Sequence, residues 1–215
     1  MSGRERMETP GMQKYATLMQ LVKLRIDLVD RLMQDKDKLP IVPRFEIVAL
    51  QFRQILELIA FGSLVANEKV YTAAHADFAK EWNAKKLLIK LEKLNPNFYP
   101  TPLREVAANI PGVLLKHEKI TSGFLSRKDF VDVYQECSEI IHTSNPYGLS
   151  NTNNFPDLTK RFANWKEQIV RLLTLHELRM LNDPGRALCT MNAGGTNEVQ
   201  VTRFEPAPVG WKPKT

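Results

Sequence analysis

The chain of 215 residues is 43% hydrophobic and 25% charged, with a formal net charge of +6. This composition predicts one well-filled globular domain and excludes a disordered or low-complexity chain. The mild positive charge is compatible with phosphate-bearing partners but does not require them. The two distant cysteines, Cys137 and Cys189, exclude a disulfide framework and a Cys-x-x-Cys zinc site, which fits a reducing compartment.

No segment has the pattern of an export signal or a membrane span. The N-terminus lacks the apolar core of a signal peptide. The most apolar window, Ile47–Ala66, contains Arg53, Glu57 and two glutamines, and charges at the centre of a membrane span are costly. We therefore expect a buried core helix here, and a cytoplasmic protein with no membrane partner.

Apolar residues at helical spacing predict five helices. In chain order they cover Met12–Lys38, Phe45–Asn67, Ala73–Leu94, a segment from about Ser126 to Ser144, and Phe155–Leu181. Prolines that follow the first, third, fourth and fifth of these segments end those helices. Ser126 with Asp129 three residues later is typical of a helix N-terminal cap.

Two further segments predict β-hairpins. Residues 186–206 alternate around a Gly-Gly-Thr-Asn turn, and the helical period is lost across residues 95–125, which contain a Pro-Gly turn. The predicted fold class is therefore mainly α. It is a five-helix bundle over residues 12–181, with an irregular or hairpin insertion at 95–125 and a C-terminal β-hairpin at 186–206. Residues 1–11 are predicted to be a flexible N-terminus, and residues 207–215 a tail.

Familiar catalytic motifs are missing from the sequence. There is no phosphate-binding Gly-x-x-x-x-Gly-Lys loop, no Gly-x-Gly-x-x-Gly, no His-Glu-x-x-His and no Gly-x-Ser-x-Gly. Kinases, dinucleotide-dependent enzymes, zincins and α/β-hydrolases are therefore poor interpretations. No histidine has a second ligand at a recognisable metal spacing, so no metal and no cofactor are expected.

His142 is the titratable side chain of greatest interest. It is predicted to lie in the last turn of the fourth helix, where a histidine can serve as a general acid or base near neutral pH. A histidine at this position can equally be a helix terminator that binds the last carbonyls. Cys137, five residues earlier, falls on a different face and is predicted to be a small core residue.

Arg53 and Glu57 form a second constellation, spaced i, i+4 on the most apolar helix. They can face a polar cleft and meet His142 and Asn145 from the fourth helix, or they can form a structural ion pair, because a buried charge needs a partner.

A third group, Lys86, Lys90 and Lys93, lies on one side of the third helix. This basic face is a candidate nucleic-acid-binding surface or an ordinary solvated face.

The fourth-helix sequence VDVYQECSEIIHTSNPY resembles the histidine segment of HEPN-like helical domains. The resemblance implies a small helical bundle, often dimeric, of prokaryotic toxin, defence and RNA-processing systems, in which many members are metal-independent ribonucleases. It implies that His142 is the catalytic histidine, near a dimer cleft. The family has an arginine four to six residues before this histidine, whereas Glu136, Cys137 and Ser138 stand there. A hypothesis is that Arg53, from the second predicted helix, replaces the missing arginine.

Two functions therefore stand as predictions. The first is an HEPN-like RNA-acting protein, a metal-independent ribonuclease of a bacterial defence or toxin-type system that forms a homodimer. In this interpretation His142 acts as a general base or acid on a ribose 2′-hydroxyl and Arg53 binds a phosphate. Glu57 and Asn145 orient these two side chains. The second is a non-catalytic helical interaction or regulatory module, a degenerate HEPN-like scaffold with a partner protein.

Overall fold

In the computed structural model, which describes residues 10–34, 38–67, 83–110, 113–142, 154–179 and 185–204, helices and a sheet share one core. The helices are α1 (Pro10–Met33), α2 (Ile41–Ala66), α3 (Ala84–Leu94), α4 (Arg127–Ile141) and α5 (Phe155–Leu173). The strands are β1 (Thr101–Ile110), β2 (Val113–Lys119), β3 (Leu175–Leu178), β4 (Arg186–Thr190) and β5 (Gln200–Phe204). The predicted tail at 207–215, residues 1–9 of the predicted N-terminus and residues 73–82 of the predicted third helix lie outside the described residues.

The second helix, α2, is the centre of the core. It packs against α1, α3 and α4, as expected for a helix that is apolar on nearly every side. Its most buried side chains are Val48, Phe52, Ile55, Leu56 and Ile59. It is the one helix in the described ranges that is long and apolar enough to cross a membrane, but 56% of its most apolar stretch is buried inside the fold. This burial confirms the predicted core helix and is consistent with a soluble protein.

The strands form one antiparallel sheet in the order β2-β1-β3-β4-β5. Both predicted hairpins are present, as β1–β2 and β4–β5. The predicted fold class, a mainly α bundle with a hairpin attached, was nevertheless wrong. The hairpins are the two halves of a single five-stranded sheet, so the fold is mixed α/β.

The two hairpins are joined by β3, a strand that the sequence analysis assigned to the end of a helix reaching Leu181. The helix ends at Leu173, and the next residues pair with β1 on one side and with β4 on the other. A strand of four residues is too short to establish a period of two. Its adjacent buried residues, His176 and Glu177, also hide any alternation of apolar and polar side chains.

Each of these two buried polar residues has partners. The Nδ1–H of His176 donates to the carbonyl oxygen of Leu173 at 2.8 Å, so its Nε2 accepts from the hydroxyl of Tyr15 on α1 at 2.7 Å. Glu177 accepts from Arg179 at 2.6 Å and from Arg186. The bond between Tyr15 and His176 ties α1 to the sheet across the core.

Close approach of α1 and α2 depends on Gly62. A Cβ added at Gly62 would lie 2.9 Å from Cε2 of Tyr15, closer than such atoms normally come. The Tyr15 ring cannot move away cheaply, because it is buried and its hydroxyl is held by His176.

We predict that acid weakens the fold through His176. Burial lowers the pKa of this imidazole from 6.5 to about 4, against the opposing effect of the Leu173 carbonyl. The folded chain therefore holds a neutral imidazole that the unfolded chain protonates below about pH 6.5. The resulting stability is complete above that pH and is lost as the pH falls towards 4. Each pKa unit corresponds to about 1.4 kcal/mol, so the loss reaches about 3 kcal/mol.

Urea unfolding followed by circular dichroism between about pH 7 and about pH 4.5 measures this effect. His176→Gln keeps an acceptor for Tyr15 but cannot titrate, so its unfolding free energy should start lower and decline less with acid. His117→Gln, on the exposed hairpin, controls for the loss of a histidine. Equal declines in wild type and His176→Gln would contradict the assignment.

Candidate functional site

The helices α2 and α4 lie side by side and run in opposite directions. Arg53 reaches Ser138, while Glu57, one turn further along α2, reaches Tyr134, one turn earlier on α4. The start of α4 is fixed by the predicted cap, because Ser126 and Asp129 form a reciprocal capping box. These four side chains, Arg53, Glu57, Tyr134 and Ser138, are called the Arg53 cluster below.

Glu57 is the acceptor at the centre of the Arg53 cluster. Its Oε1 accepts from Nε of Arg53 at 3.2 Å and from the hydroxyl of Tyr134 at 3.1 Å. Cζ of Arg53 lies 5.1 Å from the centroid of the Tyr134 ring, within range of a cation–π interaction. Nη1 of Arg53 lies 3.5 Å from Oγ of Ser138, which itself donates to the Tyr134 carbonyl at 2.9 Å.

The charges of the cluster are fixed by their neighbours. Burial opposes the charge on Arg53, but the combined effect of Tyr134 and Glu57 raises its pKa. Burial, and next the charge of Glu57, raise the pKa of the Tyr134 hydroxyl, so it remains a hydrogen-bond donor. The Arg53 and Glu57 side chains are 33% and 26% exposed, so the ion pair lies at the edge of the core and is accessible to solvent.

His142 is the residue that ends α4. Its backbone N–H donates to the carbonyl oxygen of Ser138 at 3.2 Å, and the residue is exposed. Ser138 and His142 are spaced i, i+4, so His142 follows the cluster by one turn, about 5–6 Å along the helix. In the described ranges the imidazole has no hydrogen bond to Arg53 or Glu57. Asn145, the fourth predicted site residue, lies outside those ranges.

Cys137 is a core residue, as the sequence predicted. It is fully buried, and burial raises the pKa of its thiol well above the ordinary value. A neutral, inaccessible thiol is not a nucleophile. The chemistry available here is therefore that of an arginine, a carboxylate, two hydroxyls and a nearby imidazole.

The predicted basic face lies on α3. Lys86 and Lys93 are exposed and Lys90 is partly buried. No described hydrogen bond or ion pair connects Lys86 or Lys93 to the Arg53 cluster. Across the described ranges, no group of three or more His, Cys, Asp or Glu side chains is arranged to hold a metal ion.

Tyr134 and Ser138 are the cluster members that sequence reasoning missed as site residues. Tyr134 is buried in the core, and Ser138 stands at one of the positions where the resemblance calls for an arginine. The signal was nevertheless present. Tyr134, Ser138 and His142 repeat at intervals of four, which places polar groups along one side of the helix.

No family model matches the chain, and comparisons with curated proteins and with solved structures give no match either. These comparisons therefore have no bearing on the resemblance to HEPN-like domains, which stays a prediction. The function has to be inferred from the physical chemistry of the residues themselves.

We predict that Arg53 and Glu57 are energetically coupled. A double-mutant cycle of Arg53→Met and Glu57→Gln, measured by urea unfolding, should give a coupling free energy of about 1 kcal/mol. This value is near the top of the range for solvent-accessible ion pairs. Partial burial and the shared contact with Tyr134 are the reasons. The pair Arg104–Glu118, whose side chains are 65% and 37% exposed, is the matched control and should give a clearly smaller coupling energy. Equal coupling in the two pairs would mean that the cluster is an ordinary surface pair.

Proposed function

We propose that the protein acts on RNA as an HEPN-like, metal-independent ribonuclease, with His142 and the Arg53 cluster at its active site. The observation that supports this is the antiparallel packing of α2 on α4. It brings the Arg53 guanidinium within 3.5 Å of Ser138, the residue one turn before His142. In this proposal Arg53, from the neighbouring helix, takes the role of the arginine that the family carries on the histidine's own helix.

The proposed reaction is an internal transesterification, in which the phosphorus of the RNA backbone is transferred to the neighbouring ribose 2′ oxygen. The imidazole of His142 takes the proton of the 2′-hydroxyl, and the 2′ oxygen attacks phosphorus. The 5′ oxygen leaves and takes up a proton, giving a 2′,3′-cyclic phosphate and a 5′-hydroxyl. Arg53 binds the phosphate oxygens, where its charge stabilises the transition state, and Glu57 and Asn145 orient the reacting groups. The lysines Lys86, Lys90 and Lys93 bind the backbone of the RNA.

A second candidate is a non-catalytic interaction module that uses the same surface to bind a partner protein. The specific observation in its favour is the neutrality of the cluster. Glu57 already accepts from Arg53 and from Tyr134, so the arginine is not free to attract a phosphate as an isolated cation would. Moreover, Cys137, at one of the positions where the family has its arginine, is buried in the core.

The setting of the protein is part of the same proposal. We place it in the cytoplasm, as a component of a bacterial defence or toxin-type system, and as a homodimer. These three statements rest on the resemblance and on the composition, including the two free, buried cysteines.

We predict that the purified protein cleaves total RNA in EDTA and leaves 2′,3′-cyclic phosphate ends. His142→Ala should lower the rate at least about 100-fold, as expected for loss of a general base, and Arg53→Ala should also lower it strongly. Gel analysis of the RNA and a chemical assay for cyclic phosphate ends are the measurements.

His117→Ala and Arg104→Ala, both on the exposed β1–β2 hairpin, are the matched controls and should cleave like wild type. Circular dichroism should show that all four variants fold. Equal cleavage by wild type, His142→Ala and Arg53→Ala would rule out the catalytic proposal. A wild-type protein that cleaves nothing but retains a partner protein through the Arg53 cluster would favour the second candidate.

A further inference from the structure

The hairpin β1–β2 extends beyond the rest of the sheet. β3 pairs with β1 only at Thr101 and Pro102, whereas β1 and β2 pair from Leu103 to Ile110. Between 104 and 109 and between 113 and 119 no residue is buried. β2 is the last strand in the sheet order, so its outer edge has no neighbour in the part of the chain that the structure describes. Its outward N–H and C=O groups are available to another strand.

The hairpin has one regular edge and one irregular edge. Ala107 pairs with Leu115 and Ile110 pairs with Val113, so β1 carries an extra residue between these pairs and β2 does not. A bulge bends and twists its own strand and so discourages further pairing along it. The edge of β2 keeps regular alternation from Val113 to Lys119. It is therefore the edge of this hairpin that is suited to adding a strand.

The side chains of β2 indicate which strand fits. If two copies of β2 pair antiparallel about a two-fold axis, one residue lies opposite itself. If the axis passes through Lys116, the two copies of Lys116 lie opposite each other, and if it passes through Glu118, the two copies of Glu118 do. Both arrangements place like charges together and are unfavourable. An axis at His117 places Lys116 opposite Glu118 of the second copy, and the symmetry repeats that pair.

The same register also matches the apolar residues. On the face of Lys116 and Glu118, Leu114 lies opposite Ile120 of the second copy, so the charged pairs are flanked by apolar pairs at both ends. On the other face Leu115 lies opposite the aliphatic stem of Lys119. Leu114 is 89% exposed and Leu115 is 54% exposed in the single chain, and pairing would cover both.

We propose that β2 is a self-association edge, and that it pairs with β2 of a second copy of this chain, antiparallel and centred on His117. The two sheets would then be continuous across the two-fold axis. A lysine on an edge strand normally prevents pairing, because the incoming strand offers it no counter-charge. Lys116, which already lies 3.0 Å from Glu118 of its own strand, gains a second carboxylate in this register. The proposal is independent of the ribonuclease proposal, since it uses no residue of α2 or α4.

The first experiment measures association by sedimentation from about 1 to about 500 µM protein. A strand pair of this length buries less surface than the roughly 1,200–2,000 Å² of a standard interface, so we expect a reversible micromolar dimer. In a dimer of Lys116→Glu, a glutamate at position 116 faces Glu118 of the second copy. In a dimer of Glu118→Lys, a lysine at position 118 faces Lys116 of the second copy. Each variant alone should dissociate about tenfold more readily than wild type.

Mixing these two variants is the decisive arm. Across the two-fold axis of the mixed dimer, each charge at positions 116 and 118 again lies opposite its counter-charge, so association should return to near the wild-type value. Lys116 is exposed and Glu118 is half-buried, and neither belongs to the core, so both variants should fold, which circular dichroism checks. If the variants associate as well as wild type, or if their mixture recovers nothing, the proposed pairing is wrong.

The second experiment tests the register with single cysteines under copper phenanthroline. His117→Cys places two thiols directly opposite, with Cα atoms about 4.5–5.5 Å apart, which suits a disulfide. Leu115→Cys, on the same face, places them about 14 Å apart along the strands, so it controls for random collision. The native Cys137 and Cys189 are buried and do not compete.

A covalent dimer from His117→Cys and none from Leu115→Cys is the expected result. A dimer linked through Leu115→Cys instead would overturn the register. A wild-type chain that remains monomeric across the whole concentration range would overturn the self-association itself, because the edge would then serve another occupant.

Discussion

The apolar surface of α2 has to be covered on almost every side, and most of the architecture follows from that requirement. Leaving its side chains exposed would cost about 1.5–3 kcal/mol for each large residue. Helices α1, α3 and α4 provide the cover, and the aromatic residues of α5 complete it, with the rings of Phe52 and Trp165 packed edge to face. The close fit against α1 is possible because residue 62 is glycine.

The same requirement determines where polar groups can stand on α2. Charges within the core need partners, and four polar residues of this helix are found where a neighbouring helix supplies one. Gln51 and Gln54 accept from Arg25 of α1. Arg53 and Glu57, further round the helix, are held by Tyr134 and Ser138 of α4. The candidate site is thus where the ion pair of Arg53 and Glu57 meets the polar side of α4, and His142 follows it by one turn.

The sheet is joined to the helices by a few polar contacts as well as by apolar packing. Tyr15 of α1 donates to the buried His176 of β3, and Lys23 of α1 donates to the carbonyl oxygens of Met191 and Asn197 in the turn between β4 and β5. The two ends of the sheet differ in consequence. The β4–β5 end is fastened to α1, whereas no described side chain of the β1–β2 hairpin between 104 and 119 is buried, and the proposed pairing uses its outer edge.

The sequence by itself determined the features that depend on local pattern. The apolar periods located the helices, Ser126 and Asp129 marked the start of α4, and the turn residues predicted both hairpins. The same reasoning also singled out Arg53 and Glu57, because two charges at i, i+4 on the most apolar helix need an explanation. His142 was placed in the last turn of its helix, and the structure has it as the residue that ends the helix.

Only the tertiary structure decided what depends on distant residues. A strand of four residues carries too little pattern to be distinguished from a helix end, and β3 is a strand because β1 and β4 flank it. Tyr134 is a core residue, but only packing places its hydroxyl on Glu57, 77 positions earlier in the chain. Local periodicity reports which face of an element is apolar, but it does not report which element that face meets. The meeting of α2 with α4 creates the candidate site, and the pairing of β3 turns two hairpins into one sheet.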